Sequence, residues 1–262
     1  MSNIITDAEL VNKFAQKAME EPTQVVKTRA PSESEVKLPG GFLESNGEVI
    51  NTAEVRELTG ADEEAIAKAG TTGKALNTLL QRGVTKLGSR EVKKEELDLL
   101  LSGDRDALLL GIRKVTFGST IEVFSKCQTC NDEAKVTVDL NEDVPIKSLG
   151  DEPRMWDVET KKGTVRVTLP NGITQRKLME NTDKTSAELN TLLLAGCVLS
   201  INDTPSMGAA SALSLGMVDR TNIIQEIVDR NPGPRLGEVT KVCKACGEDI
   251  SLPLSLLDLF RL

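Results

Sequence analysis

The sequence contains no histidine and no tyrosine, and its aromatic residues are five Phe and one Trp in 262 residues. Without histidine there is no Ser–His or Cys–His catalytic pair, no imidazole metal ligand and no imidazole pH switch. The few aromatics leave a core to be built from Leu, Val, Ile and Ala. They also remove the stacking platforms on which single-stranded nucleic acids are held. Positive charge is in deficit too, with 32 Lys and Arg against 40 Asp and Glu and a formal net charge of −8. A nucleic-acid footprint needs a basic face that displaces counterions, so this balance argues against one. No apolar run approaches the roughly 18 to 20 residues of a membrane span. The opening MSNIITDAEL lacks the basic stretch and apolar run of a secretory signal. Soluble, cytosolic synthesis is the expectation, and that reducing compartment favours thiols and metal sites over structural disulfides.

What is present begins with a distinct N-terminal region, residues 1–37. Thr6 and Asp7 can cap a helix running to about Met19, with Leu10, Val11, Phe14 and Ala18 on one stripe. After Glu20-Glu21-Pro22, a polar stretch ending in Ala30-Pro31-Ser32 reads as a linker. An amphipathic helix on a tether suits docking on a partner through Leu10, Val11 and Phe14. A first helix folded back on its own domain is the equally simple reading.

The rest of the chain repeats itself. Segment ALNTLLQRGV (75–84) is echoed by ELNTLLLAGCV (188–198), with the shared LNTLL 113 residues apart. Asp104-Arg105 and Asp219-Arg220 each open a helix, and each helix leads to a strand and a CxxC pair. Leu58-Thr-Gly60 matches Leu169-Pro-Asn-Gly172 upstream. Four matches in one order, with a small drift in spacing, are the mark of a duplicated unit with loop insertions. The units are expected at 42–141 and 152–262, packed as one body. Each would run from a hairpin, through helical stretches, to a cysteine-bearing hairpin, which makes the fold α+β. The helical stretches are expected at Ala61–Arg82, Glu95–Lys114, Gln175–Leu199 and Met207–Arg230. Asn46-Gly47 marks the first hairpin turn.

A CxxC on a turn between two short strands is half of a zinc site, because two thiolates can both point at one ion. Here the pairs are Cys127/Cys130 and Cys243/Cys246. Their wide separation is unlike a compact zinc finger, and the duplication accounts for it: each unit supplies one knuckle. With histidine absent, the four cysteines form a closed site, so the expectation is one structural zinc per chain. A redox CxxC is the rival, but that motif expects its first cysteine at a helix N-terminus within a βαβ setting. Cys197, in the apolar run LLLAGCVLSI, reads as a core thiol.

Other signals carry less. Gly70-Thr-Thr-Gly73-Lys74 lacks the spacing and the following Ser or Thr of a phosphate loop. Trp156-Asp-Val-Glu159 reads as a strand with one buried face. The C-terminal LPLSLLDLF (252–260) is too apolar for a solvated tail, so Leu257 and Phe260 are expected to pack on the zinc hairpin or to meet a partner.

The run KLPGGFLESNGEV, the following EVRELTGADEEAI and the late KVCKACGEDISLPLSLLDLF together resemble the baseplate hub and hub-assembly proteins of T-even-type, contractile-tailed bacteriophages. The resemblance covers about residues 36–262. It implies a non-enzymatic protein placed in, or building, the hub beneath the tail tube. Its partners would be other baseplate and tail proteins, with no nucleic acid, membrane or small-molecule substrate. It would reside in the virion, after assembly in the host cytoplasm. Two alternatives stay open: a hub-assembly chaperone absent from the mature virion, and a zinc-ribbon nucleic-acid binder with a basic face around Arg235, Lys241 and Lys244.

Overall fold

The structure, a computed structural model, describes residues 34–260. The expected N-terminal helix, with Leu10, Val11 and Phe14, lies outside the described residues. The chain is a mixed α+β protein. Its first sheet is antiparallel, in the order β1 (Glu35–Leu43), β2 (Val49–Val55), β3 (Val84–Leu87), β4 (Arg90–Glu91). Phe42 faces Ile50 and Leu43 faces Val49 across the Asn46-Gly47 turn, as the turn signal predicts. The first strand begins at Glu35, earlier than the expected linker end at 37 and unit start at 42. The register slips between Lys37 and Phe42, around Leu38-Pro39-Gly40-Gly41. That Pro- and Gly-containing bulge hides the strand from a reading by alternation.

The helices also differ from expectation in their breaks. Ala61–Arg82 is two helices, α1 (Gly60–Ala67) and α2 (Thr72–Gly83), because Thr71 caps a new start by accepting from the Lys74 N–H. Glu95–Lys114 is α3 (Lys94–Leu99) and α4 (Ser102–Phe117). Gln175–Leu199 is α5 (Gly172–Met179) and α6 (Ser186–Cys197), the second opened by a Thr185/Glu188 capping box. Leu199 belongs instead to a strand. Met207–Arg230 is α7 (Ala209–Ser214) and α8 (Met217–Arg230). A two-helix stretch read as one is the cost of following apolar periodicity past its caps.

The second sheet is ordered β11 (Thr204–Pro205), β10 (Val198–Ile201), β9 (Gly163–Thr168), β8 (Met155–Thr160). Trp156 and Val158 turn inward from β8. The Trp156 indole N–H donates to Glu226 at 2.8 Å, and the Arg230 guanidinium lies 4.7 Å from its ring centre. Short β3 and β10 each follow a helix directly and pair with the strand before it, an element that the sequence pattern did not indicate. Both pairings slip register, one between Glu54 and Val55 and the other between Val198 and Ser200. Residues 35–139 and 155–251 thus run through the same order: hairpin, two helices, short hairpin, two helices, and a cysteine hairpin. The cysteine hairpins are β5 (Thr120–Lys126) with β6 (Glu133–Asp139), and β13 (Thr240–Val242) with β14 (Asp249–Ser251). A small ladder of β7 (Ile146–Lys147) with β12 (Gly233–Pro234) ties the linker between the halves to the segment after α8.

Among the described residues, three apolar clusters form the interior. The first lies between the β1–β4 sheet and α1–α4, with Leu80, Leu87, Leu108 and Ile112 completely buried. The second packs Val165 and Val167 against Leu194, Ile223 and Ile227, and takes in Leu101 from the first half. Cys197 is fully buried there, and burial pushes its thiol up to about 12, in keeping with a core role. The third joins both cysteine hairpins to Leu110 of α4 and to the C-terminal residues Leu252, Leu254 and Leu259.

Candidate metal centre

Each cysteine pair sits on the same backbone turn. The Cys127 N–H donates to Asp132 O at 2.9 Å and the Asn131 N–H to Cys127 O at 2.9 Å. The Cys243 N–H donates to Glu248 O at 2.7 Å and the Gly247 N–H to Cys243 O at 2.9 Å. The residue after the second cysteine takes a positive φ in both, Asn131 at 61° and Gly247 at 79°. Gly and Asn are the residues that enter this region at least cost, which explains both identities. The sequence held this signal in Cys-Asn and Cys-Gly, beyond the bare CxxC spacing.

The fold brings the two turns face to face. Cys127 Sγ lies 3.7 Å from Cys246 Sγ, and Cys130 Sγ lies 3.7 Å from Cys243 Sγ. All four sulfurs fall within 4.8 Å of one another. A disulfide needs about 2.05 Å between sulfurs, so these are four thiols. Four sulfurs at about 2.3 Å from one ion in a tetrahedron stand about 3.8 Å apart. The arrangement therefore fits a tetrahedral thiolate-bound metal. In each pair the first cysteine is buried and the second exposed.

The surroundings favour thiolate unevenly. Backbone N–H groups of Cys130 and Thr129 point at Cys127 and hold its thiol down to about 6. At Cys246 the Glu248 N–H favours the thiolate, but burial and the neighbouring thiols Cys130, Cys243 and Cys127 outweigh it and push the group up to about 12. Without a cation, four crowded thiols cannot all ionise. A divalent ion removes that conflict, and its binding releases protons.

The other residues singled out from sequence are placed as follows. Leu257 is exposed, whereas Phe260 is half-buried and packs on the first and third clusters, so the C-terminal segment lies on the body near the cysteine hairpins. Lys241 is paired with Asp143 at 2.6 Å, and Arg235 donates to the carbonyls of Val228, Asp229 and Asn231 at the end of α8.

Asp104-Arg105 and Asp219-Arg220, seen in the sequence only as helix openers, turn out to be internal ties. Arg105 is buried and donates to Leu97 O at 2.6 Å, Gln175 Oε1 at 2.8 Å and Asn77 Oδ1 at 3.2 Å. Arg220 reaches Ala212 O at 2.8 Å and Thr191 Oγ1 at 2.8 Å. Each arginine thus binds a carbonyl of the helix before its own and a side chain of the helix before that. Asp104 accepts from the Gly40 N–H at 2.7 Å. Burial raises its carboxyl to about 6, despite the Gly40 and Gly41 N–H groups and the Arg154 charge.

This α+β body, with two four-stranded sheets and a four-cysteine cluster, is matched by the family described as T4 bacteriophage base plate protein, over residues 33–216. That span is most of the chain, and the protein belongs to this family. The match takes in Cys127 and Cys130 and ends before α8 and the second cysteine pair. No curated protein and no solved structure matches the chain. Among the described residues, no helix is long and apolar enough to cross a membrane.

Proposed function

We propose that this protein is a structural component of a phage tail baseplate hub, and that it holds one zinc ion through Cys127, Cys130, Cys243 and Cys246. The family match carries the first part, and the four converging sulfurs support the second. A four-thiolate zinc has no open position for water or substrate, so the site holds structure and performs no catalysis. The ion clamps two hairpins that lie more than a hundred residues apart in the chain, where Leu110 of α4 and the C-terminal leucines give them a common floor.

The halves descend from one duplicated unit on this reading. The repeated element order, the paired register slips, the two cysteine turns and the matching arginine ties all support it. Partners are other baseplate and tail proteins. Nucleic acid is disfavoured because Lys241 and Arg235, two thirds of the candidate basic face, are engaged internally.

Mass spectrometry of purified particles tests the role, with a stoichiometric chain expected. Absence from particles together with abundance in infected-cell lysate would replace the component with an assembly chaperone. Metal analysis of the purified chain should give one zinc; two ions, or none after expression in zinc-replete medium, would end the shared-site reading. Retention on a polyanion column at physiological salt would favour the nucleic-acid binder.

A further inference from the structure

The first cysteine hairpin is a two-stranded sheet, β5 with β6, and among the described residues its outer β5 edge meets no other strand. Alternation along the ladder fixes which backbone groups lie on that edge. The Leu140 N–H donates to Ser119 O at 2.8 Å and the Cys127 N–H to Asp132 O at 2.9 Å, one at each end of the pairing. Ser119 and Cys127 therefore face β6, and so do the odd-numbered residues between them. The N–H and C=O groups of Glu122, Phe124 and Lys126 point the other way, along the outer edge. Asp139, opposite Thr120 on β6, obeys the same rule: its outward N–H donates to the Asp143 carboxylate at 2.7 Å.

The β5 edge borders a groove of about 910 Å³, walled by residues 120–124 on one side and by Pro253, Leu254, Leu257 and Phe260 on the other. Phe124 lies 82% exposed beside it and belongs to none of the apolar clusters. An unpaired edge invites a second strand, and charges placed on it ordinarily keep that strand away. Here their order does the opposite. A second β5 running antiparallel can pair only outward residues with outward residues. Centred on Phe124, it sets Phe124 against its own copy and Glu122 against Lys126 of the second chain, twice over. A centre at Glu122 or at Lys126 sets like charges opposite each other, and a centre between two of these residues sets Phe124 against a charge. Opposite charges and paired aromatics favour cross-strand neighbours, whereas like charges oppose them. The order Glu-x-Phe-x-Lys is thus complementary to itself about a two-fold axis, as an isologous contact requires. The outward residues of β6 include no apolar side chain, and β13 and β14 have only three residues each.

We propose that two copies of this chain join through β5, antiparallel and centred on Phe124, to form one four-stranded sheet in the order β6–β5–β5–β6. The second strand takes the room of the groove, and each facing pair exchanges two backbone hydrogen bonds. Glu122 and Lys126 already hold Lys135 and Glu133 within their own hairpin, and each gains a second opposite charge across the axis. Phe124 leaves water against the Phe124 of the second copy. The contact depends neither on the duplication nor on a place in the hub.

The test is sedimentation of the full chain, purified in zinc-containing buffer, over a concentration series, with Glu122→Lys and Lys126→Glu as variants. The wild type should show a monomer–dimer equilibrium. Each variant alone sets like charges opposite each other at both outer pairs, which should weaken the dimer roughly tenfold or more. An equimolar mixture regains opposite charges at both pairs, so a 1:1 heterodimer should form with about the wild-type strength. The ion pairs lost within the hairpin are exposed, and unchanged thermal unfolding shows that both variants fold. A wild type that stays monomeric at the highest concentration reached overturns the proposal. So do variants that dimerise as the wild type does, which places the contact on another surface. A mixture no stronger than its components overturns it too, because the register then fails.

Discussion

Helix α4 in the first half buries eleven of its 16 residues, whereas α8, in the same place of the second half, buries only Asp219, Ile223 and Ile227 among 14. Helix α2 buries six residues, while α6, although more apolar, buries only Leu194 and Cys197. The positions that join each half's own apolar cluster are apolar in both, as Leu108 and Ile223 or Ile112 and Ile227 show. Positions covered in the first half by other parts of the chain have changed: Leu110 faces the cysteine hairpins, and Gln225 stands in its place on α8. The same order of elements is therefore more deeply covered in the first half than in the second, and its side chains record the difference.

That contrast can be broken most severely at the four-cysteine cluster. Cys127→Ser and Cys243→Ser should release the ion equally and destabilise the two halves together, by several kcal/mol; structural zinc contributes roughly 10 kcal/mol or more in small finger peptides. Zinc analysis and thermal unfolding would read this, and one variant that keeps its zinc would show that the knuckles act separately. Next in size is the difference in helix burial. Leu79→Ala, at a fully buried position of α2, should cost about 2–5 kcal/mol. Leu192→Ala, at the matching, partly exposed position of α6, should cost less than half of that in urea unfolding.

Asp104 offers a pH test. Its carboxyl is raised to about 6 in the folded chain, against 3.8 for the free group, so the folded state keeps a proton that the unfolded state has released. Its contribution is complete below about pH 4 and is lost as pH rises through 6, a difference of roughly 3 kcal/mol. Asp104→Asn should flatten the fall in stability over that window. Asp106, also raised to about 6 by burial, leaves a residual slope. Denaturant unfolding at several pH values between 4 and 7 checks this, and an unchanged slope would remove Asp104 from the account.

The smallest expected effect separates the arginine ties. Arg105→Ala removes two buried hydrogen bonds and a part-buried one and should cost about 3 kcal/mol, while Arg220→Ala, nearer to solvent, should cost about 1 kcal/mol. If Arg220→Ala had no effect on unfolding, the correspondence between the two ties would lose its support.

Much of the site was legible in the chain. The CxxC pairs, their place after strands and the absence of histidine pointed to four sulfurs at one centre, because turn chemistry and ligand chemistry are local. The hairpin at Asn46-Gly47, the buried Cys197 and the inward face of Trp156 were legible for the same reason. The bulged start of β1 was not, since Pro39, Gly40 and Gly41 break the alternation that marks a strand. Nor were the one-turn strands β3 and β10, which are too short to show a period and are held by pairing with distant residues.

The sequence by itself determined the local pieces: the caps, the alternating hairpins, the paired cysteines and, through missing side chains, the chemistry excluded from them. Tertiary structure alone decided how the two halves meet. The close approach at Gly103, the burial of Arg105 and Asp104, and the 3.7 Å spacing of Cys127 from Cys246 and of Cys130 from Cys243 arise between residues far apart in the chain. Local propensities act over a few residues, but which surface is covered and which stays open depends on where the chain returns.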